Sequence, residues 1–287
     1  MGLAKNRIVL VTGASRGAGK GIALALAEKG ATVYVTGRTC DEGDAPLPGT
    51  VYLTARQCDE RGGKGIPFIC DHAEDEQVKA LFQRIEKDQG RLDILVNNAT
   101  CLPDGLTDTG GFWQKPLALQ NIFDVGMRST YVASYFAAPI MVRQKSGLIA
   151  HTSSFGGRCY LHGPAYGAGK AAVDKMANDM AVDLRPHNVA VVSLWMGLMT
   201  TERTMGVVEA EPEKYAAMLD TAETPEFTGR VIDVLAADPE LMQRSGKIWV
   251  SAELAQEYGV QDANGKQPPS HAAFLGSPAQ ANPAVVE

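Results

Sequence analysis

Residues 8–19 read IVLVTGASRGAG, an apolar run that passes directly into a glycine-rich turn. The run predicts a buried strand, and a helical pattern begins at Gly19. The glycines permit a tight turn, and the N-terminus of the following helix would face an anionic group. We interpret this segment as a dinucleotide-binding loop, with a plain glycine turn as the alternative. The loop residues expected to bind the cofactor are Gly13, Ser15, Arg16, Gly17, Ala18 and Gly19.

Short apolar runs alternate with longer helical patterns along the rest of the chain. The predicted strands are Ile8–Thr12, Thr32–Thr36, Ile66–Cys70, Leu92–Val96, Gly147–Thr152, Val189–Trp195 and Lys247–Val250. The predicted helices are Gly19–Glu28, Val51–Arg61, Asp75–Gln89, Leu119–Gln144, Ala165–Leu184 and Thr224–Ala237. Such alternation predicts a parallel sheet with helices on both faces. We therefore expect an α/β, Rossmann-like, doubly wound fold with a seven-stranded sheet. It would be a single domain over residues 1–265, followed by a Pro/Ala-rich tail over residues 266–287.

The composition excludes several classes of protein. The 287 residues carry a net charge of −6 and no long basic run, so nucleic-acid binding is not expected. No stretch approaches the ~20 apolar residues of a membrane span, and no signal-peptide pattern is present. The five cysteines are odd in number and lack C-x-x-C spacing. We therefore expect a cytoplasmic protein with reduced thiols, no membrane association and no bound metal.

The end of the second predicted strand indicates which dinucleotide would bind. An NAD site uses a carboxylate there, whereas an NADP site uses positive charge for the 2′-phosphate. This strand ends in Arg38, and Arg16 lies in the glycine loop. Because two guanidinium groups can converge on one phosphate, we expect NADP(H). The acidic residues Asp41, Glu42 and Asp44 follow, so NAD(H) stays the alternative.

A tyrosine and a lysine stand four residues apart at Tyr166 and Lys170, and Ser153 lies thirteen residues before the tyrosine. Positions i and i+4 share one helix face, so the ammonium can lie near the phenol. A nearby positive charge lowers a phenol pKa from about 10, which would make Tyr166 a general acid or base. Taken alone, this spacing is more often a solvated helix face.

Together these segments resemble the short-chain dehydrogenase/reductase family, from about Arg7 to Gly265. The motifs that carry the resemblance are TGASRGAG, Cys70-Asp71, Asn97-Asn98-Ala99, Ser153, Tyr166 and Lys170. Three further segments resemble the member-one branch of that family: SLWMGLMTTE, SGKIWVSAELAQEYGVQDANG and PAYGAGKAAVDKMANDMAVDLR. That branch is linked to NADPH-dependent carbonyl reduction, including that of steroids and xenobiotics.

The resemblance implies catalytic roles for three residues. Ser153 would hold the substrate oxygen, Tyr166 would transfer the proton, and Lys170 would bind nicotinamide-ribose hydroxyls and tune the tyrosine. Hydride transfer to a carbonyl builds negative charge on oxygen, which hydroxyl donors stabilise. We therefore expect an NADP(H)-dependent oxidoreductase acting on a small-molecule ketone, aldehyde or alcohol. The alternatives are an NAD-dependent alcohol or diol dehydrogenase and a cofactor-binding regulatory protein with negligible turnover.

The resemblance also implies cofactor contacts and a partner. Asp71 would contact the adenine, Asn98 would line the adenine ribose while Asn97 braces neighbouring strands, and Thr201 would contact the nicotinamide carboxamide. Small residues surround Tyr166 and Lys170 on one predicted helix, which favours close approach of another helix. The family commonly uses such a helix for self-association, so we expect a homodimer or homotetramer.

Three positions depart from the family's pattern. Gly126 stands twenty-seven residues before Ser153, where the family commonly has an asparagine that is thought to anchor a proton-relay water. We hypothesise that a water bound at the Gly126 backbone replaces it. Thr100 stands where the Asn-Asn-Ala motif usually ends in glycine, and Met196 replaces the usual proline before Gly197. Both changes fall on loops expected around the nicotinamide.

Five further residues could line a substrate site. They are Phe112, Trp113, Cys159, Tyr160 and His162. In a simpler interpretation, His162 is a loop residue, Cys159 is a small hydrophobic residue, and the three aromatic residues anchor long loops.

Overall fold

Seven strands form one parallel sheet in the computed structural model, which describes residues 6–286. The strand order is β3-β2-β1-β4-β5-β6-β7, so the chain winds first to one side of β1 and then to the other. The strands are β1 (Ile8–Val11), β2 (Thr32–Gly37), β3 (Lys64–Ile69), β4 (Ile94–Asn97), β5 (Gly147–Ser153), β6 (Val189–Trp195) and β7 (Lys247–Val250). The predicted doubly wound, seven-stranded parallel fold is confirmed.

Helices follow the strands and cover both faces of the sheet. They are α1 (Gly17–Glu28), α2 (Val51–Glu60), α3 (Asp75–Gln89), α4 (Ser129–Gln144), α5 (Pro164–Leu184), α6 (Glu202–Ala210), α7 (Pro212–Tyr215), α8 (Phe227–Leu235), α9 (Leu241–Arg244), α10 (Ser251–Tyr258) and α11 (Ala272–Leu275). Because side chains alternate along a strand, one layer of apolar residues packs on each face. Val9 and Val11 pack with α1, α2 and α8, whereas Ile8 and Leu10 pack with α3, α4 and α5.

One predicted helix is much shorter than expected. The apolar pattern of residues 119–144 predicts a continuous helix, but α4 begins only at Ser129. The preceding segment Phe123–Arg128 is interrupted at Gly126, which has φ 142° and ψ −52°. This conformation is open essentially to glycine alone. The loop after β4 is hydrogen-bonded to this interrupted segment, because the Cys101 amide donates to the Val125 carbonyl at 2.7 Å.

Part of the predicted C-terminal tail packs on the domain. Ala272 and Leu275 of α11 contact the apolar layer that includes α1, and His271 packs edge-on against Phe155. Among residues 6–286, no helix combines the length and apolar character required to cross a bilayer.

Candidate active site

The glycine loop after β1 lies where the strand order reverses, between β1 and β4. In doubly wound folds this crevice at the carboxyl ends of the strands receives the ligand. A Cβ atom on Gly13 would lie 2.7 Å from the Ala99 Cα atom, and one on Gly19 would lie 2.4 Å from the Gly13 carbonyl oxygen. The loop therefore requires glycine, and it brings bare backbone to the N-terminus of α1, as a pyrophosphate group requires.

Asn98 stabilises this loop directly. Its side-chain amide donates to the carbonyl oxygens of Thr12 at 2.9 Å and Gly13 at 3.1 Å. The Thr12 hydroxyl in turn accepts from the backbone amides of Asn98 and Ala99. The amide nitrogen of Asn98 is thus committed to positioning the loop that would bind a cofactor. The Asn97 side chain donates to Ser134 of α4, and its amide nitrogen lies 3.1 Å from the Nδ1 atom of His151, a contact between the neighbouring strands β4 and β5.

The two arginines near the tip of β2 have different surroundings. Arg16 donates to the carbonyl oxygens of Pro48 at 3.0 Å and Gly49 at 2.7 Å, which ties down the acidic loop after β2. The Arg38 side chain is 73% exposed, and its nearest carboxylate is that of Asp71, at 3.9 Å. Arg38 is therefore free to bind an added phosphate, whereas Arg16 is already engaged by the chain.

The start of α6 lies over the glycine loop. Thr201 caps α6, because its hydroxyl accepts from the Thr204 amide at 3.3 Å. The next residue, Glu202, accepts a hydrogen bond from the Gly17 amide at 2.8 Å. Its carboxylate thus occupies the N-terminus of α1, where the helix dipole favours an anion. The sequence motifs do not reveal this contact, which depends on how the segment after β6 folds back.

Tyr166 and Lys170 lie one turn apart on α5, which begins with Pro164. The ammonium nitrogen of Lys170 is 5.8 Å from the centre of the Tyr166 ring and donates to the Thr152 carbonyl at 3.1 Å. Burial lowers the pKa of Lys170 to about 8, and a buried carboxylate at Asp174 opposes this shift.

The expected lowering of the Tyr166 pKa by Lys170 is wrong, because Lys170 does not contribute to the shift. Burial raises the pKa of Tyr166, and the hydrogen bond between its phenol and the Ser154 hydroxyl only partly opposes the shift. The physical reason is that the Lys170 ammonium is directed to a backbone carbonyl, while the phenol is shielded from water.

The serine beside the tyrosine is Ser154, one residue after the predicted Ser153. The Ser154 hydroxyl lies 3.0 Å from the phenol oxygen of Tyr166, and it also accepts from the Gly156 amide. Ser153 is completely buried, and its hydroxyl donates to the Lys170 carbonyl at 3.4 Å. The structure therefore places Ser154, and not the predicted Ser153, beside the phenol of Tyr166.

A buried carboxylate supports this part of the site. Asp174 accepts from the Ser193 hydroxyl at 2.6 Å and from the Trp195 indole nitrogen at 2.9 Å, which ties α5 to β6. Burial raises the pKa of Asp174, and these hydrogen bonds and Lys170 oppose the shift. Asp174 was not among the residues predicted from the sequence, although it stands four residues after Lys170.

Gly126 and Thr100 face each other beside this site. A Cβ atom on Gly126 would lie 3.1 Å from the Thr100 hydroxyl oxygen. The Gly126 amide donates to the Ser129 hydroxyl at 3.0 Å, and its carbonyl accepts from the Thr130 hydroxyl at 2.8 Å. A carbonyl oxygen has a second lone pair, so the hypothesised water at the Gly126 backbone stays a prediction.

The predicted aromatic residues line an apolar cavity of about 500 Å³ on the flank of α5. The cavity is formed by Gly111, Phe112, Trp113, Cys159, Tyr160, Gly163, Pro164, Gly167 and Ala168. None of Ser154, Tyr166 and Lys170 lines it, so it lies beside the face of α5 that carries Tyr166 and Lys170 rather than over it. His162, by contrast, contacts the Tyr166 ring directly.

Comparisons with known proteins agree with this geometry. A family model described as short chain dehydrogenase matches residues 7–212. The Mus musculus protein named dehydrogenase/reductase SDR family member 1 is 40% identical over 273 residues, covering 91% of this chain and 85% of the relative. The Homo sapiens protein of the same name is 38% identical over 271 residues, covering 91% and 84%. The crystal structure of a short-chain type dehydrogenase/reductase from Mycobacterium marinum has a TM-score of 0.72 at 28% identity, covering 87% of this chain and 95% of that one.

Proposed function

Because the chain belongs to the short-chain dehydrogenase/reductase family, in the branch that its motifs indicated, we propose that it is an NADP(H)-dependent oxidoreductase that interconverts a carbonyl compound and an alcohol. The observation that carries this proposal is the pair of hydroxyl groups at 3.0 Å, on Ser154 and Tyr166, with Lys170 one turn further along α5. Oxidoreductase chemistry agrees with the names of the mouse and human relatives.

The residues present fit a dinucleotide. The crowded glycines and the N-terminus of α1 form a cradle for a pyrophosphate, provided that Glu202 moves off the Gly17 amide. When bound, the nicotinamide supplies or accepts the hydride. In the reducing direction Tyr166 donates its proton to the oxygen that gains negative charge, and the Ser154 hydroxyl stabilises that oxygen. The Lys170 ammonium, held by the Thr152 carbonyl one turn along α5, would bind the hydroxyls of the nicotinamide ribose.

Arg38 supports NADP(H) over NAD(H). It is an exposed guanidinium at the tip of β2, and its one neighbouring carboxylate among the described residues, Asp71, lies 3.9 Å away, beyond hydrogen-bond distance. A 2′-phosphate bound there would form a charge-assisted contact, for which planar guanidinium is suited. NAD(H) stays the alternative, since the loop after β2 is acidic.

The proposal is tested by measuring both turnover and coenzyme affinity. A panel of ketones and aldehydes is assayed with NADPH and with NADH, and Kd is measured for both coenzymes in the wild type and in Arg38→Ala. We expect carbonyl-dependent NADPH oxidation, and a loss of NADPH affinity of about tenfold or more in Arg38→Ala with NADH affinity unchanged. Arg56→Ala, which removes another exposed charge, serves as the matched control. Equal losses for both coenzymes would contradict the NADP(H) assignment.

Gly126 keeps open the alternative of a catalytically weak cofactor-binding protein, because it offers no side chain where the family commonly has an asparagine. Absence of turnover on every carbonyl, with NADPH still bound, would support that alternative.

We also propose that the chain forms a homo-oligomer through α4 and α5. Tyr131 and Tyr135 are exposed on α4 with their rings stacked 6.5 Å apart, and small residues such as Ala168 and Ala171 are exposed on α5. Sedimentation of the wild type and Tyr135→Glu tests this, because a buried carboxylate would separate the subunits. An oligomer unchanged by the substitution would contradict this interface.

A further inference from the structure

His162 holds a backbone conformation that L side chains rarely adopt, with φ 59°. The other non-glycine residues with positive φ in the described part of the chain are Asn6, Lys145 and Asn188. Lys145 and Asn188 each end a helical turn, and asparagine tolerates this region well. His162 ends no helix. Such strain costs roughly 1–3 kcal/mol and persists where the surroundings enforce it, often at functional sites.

The conformation places the imidazole against the proposed catalytic tyrosine. The ring centres of His162 and Tyr166 are 5.1 Å apart and the ring planes are 86° apart, an edge-to-face contact. The turn is completed by Gly163, whose φ is 95°, immediately before α5. The chain thus reverses sharply at His162 and directs its side chain back toward the catalytic face of the helix.

The imidazole has hydrogen-bonding capacity that the chain does not use. Neither ring nitrogen of His162 is hydrogen-bonded to any residue from 6 to 286, and the side chain is half-buried. Burial lowers the pKa of His162, and the Lys115 ammonium lowers it further. A neutral imidazole offers one donor and one acceptor.

The other polar groups beside His162 already have hydrogen-bond partners within the chain. The Tyr166 phenol is bonded to Ser154, and the Lys170 ammonium is bonded to the Thr152 carbonyl. A substrate oxygen held by Tyr166 would sit about 2.8 Å from the phenol oxygen. With the two rings in contact, the imidazole can reach an oxygen on a carbon adjacent to the reacting one.

We propose that His162 determines substrate specificity by hydrogen-bonding a second oxygen of the substrate, on the carbon next to the reacting carbonyl. The preferred substrates would then be 1,2-dicarbonyl compounds and α-hydroxyketones. This inference rests on the proposed carbonyl-reductase function and narrows its substrate class.

The test compares two ketones with the same carbon skeleton, 1-phenylpropane-1,2-dione and 1-phenylpropan-2-one. The quantity measured is the ratio of their kcat/KM values with NADPH, so that the intrinsic reactivity of the dione cancels between variants. His162→Phe keeps a ring against Tyr166 but removes both nitrogens, and should lower the ratio about tenfold with the monoketone little changed. His162→Asn tolerates positive φ and keeps a donor and an acceptor, so it should retain most of the wild-type ratio. His187→Phe is the matched control, because His187 is exposed beyond the C-terminal end of α5 and should leave the ratio unchanged.

An unchanged ratio in His162→Phe would overturn the inference while leaving carbonyl reduction intact. If that variant does not fold, His162→Gly replaces it, since glycine relieves the strain and also removes the imidazole; a wild-type ratio there would overturn the inference equally. If the wild type reduces neither ketone, nor any other carbonyl, the proposed function itself fails and this inference fails with it.

Discussion

The hydroxyl of Ser154 lies 3.0 Å from the phenol oxygen of Tyr166, whereas the neighbouring Ser153 is fully buried and bonded to the Lys170 carbonyl. Both hydroxyls contact α5, but Ser153 ends β5 and bonds the helix backbone, whereas Ser154 follows the strand and reaches the phenol. The partner of each hydroxyl, helix backbone or phenol, therefore decides which serine can stabilise the substrate oxygen of the proposed reaction.

Ser154→Ala should lower kcat for carbonyl reduction by about a hundredfold, because it removes one of two donors to the developing charge. Ser153→Ala should lower kcat far less and instead destabilise the fold by about 1 kcal/mol through the lost buried hydrogen bond. Steady-state kinetics and urea unfolding of both variants check this pair. A larger loss of kcat in Ser153→Ala would restore the original assignment.

Glu202→Gln should strengthen NADPH binding about tenfold. The wild-type carboxylate bonds the Gly17 amide at 2.8 Å and competes with the pyrophosphate for the N-terminus of α1, and a neutral amide competes less. Titration calorimetry measures Kd, with Glu209→Gln, an exposed position on the same helix, as control. Weaker NADPH binding in Glu202→Gln would mean that Glu202 supports the cofactor rather than competing with it.

Gly126→Asn should destabilise the fold by about 2 kcal/mol, since φ 142° is strained for any side chain. The new side chain would also press on the Thr100 hydroxyl, so adding Thr100→Gly should recover part of the loss. Thermal unfolding of the single and double variants measures both effects. A Gly126→Asn variant as stable as the wild type would show that packing does not exclude a side chain here. Unchanged turnover and pH profile in that variant would remove any special role for the Gly126 backbone.

Glu223→Gln should stabilise the protein at alkaline pH. Burial raises the pKa of Glu223 to about 8, and one of its carboxyl oxygens has no partner among the described residues. Between the ordinary pKa near 4.5 and about 8, the unfolded chain binds fewer protons than the folded one, so the free energy of unfolding falls as pH rises. Glutamine carries no charge and avoids this loss.

The measurement is urea unfolding of wild type and Glu223→Gln at pH 4.5 and pH 8.5. Between pH 4.5 and pH 8.5, the free energy of unfolding of Glu223→Gln minus that of the wild type should rise by about 4 kcal/mol. Taking the difference removes the contribution of Lys170, which titrates in both proteins. A difference that does not change with pH would show that Glu223 is not buried as a neutral acid.

The strands and long helices could be predicted because apolar periodicity and glycine placement are local properties of the sequence. The glycine loop, Tyr166 and Lys170 were found for the same reason: each depends on spacing within one element. The error at residues 119–128 arose because the apolar pattern there is helical. Gly126 instead adopts a positive φ, and the loop after β4 is hydrogen-bonded to the neighbouring Val125 carbonyl.

Contacts between distant segments could not be predicted from spacing. Ser153 was chosen by counting back from Tyr166, which does not reveal the direction of a side chain at a strand end. Glu202 reaches Gly17 across 185 residues, and Asp174 is held by two residues of β6. The left-handed conformation of His162 was not predicted either, because a single residue in that region leaves no periodic pattern, even though histidine is enriched there.

The central claim is that Tyr166 transfers the proton in an NADP(H)-dependent carbonyl reduction. Tyr166→Phe keeps the ring against His162 and removes only the hydroxyl. The direct measurement is carbonyl-dependent NADPH oxidation by the wild type and this variant, with NADPH affinity determined alongside. We predict that NADPH still binds while kcat falls by at least about a hundredfold. Wild-type turnover in Tyr166→Phe would contradict the account.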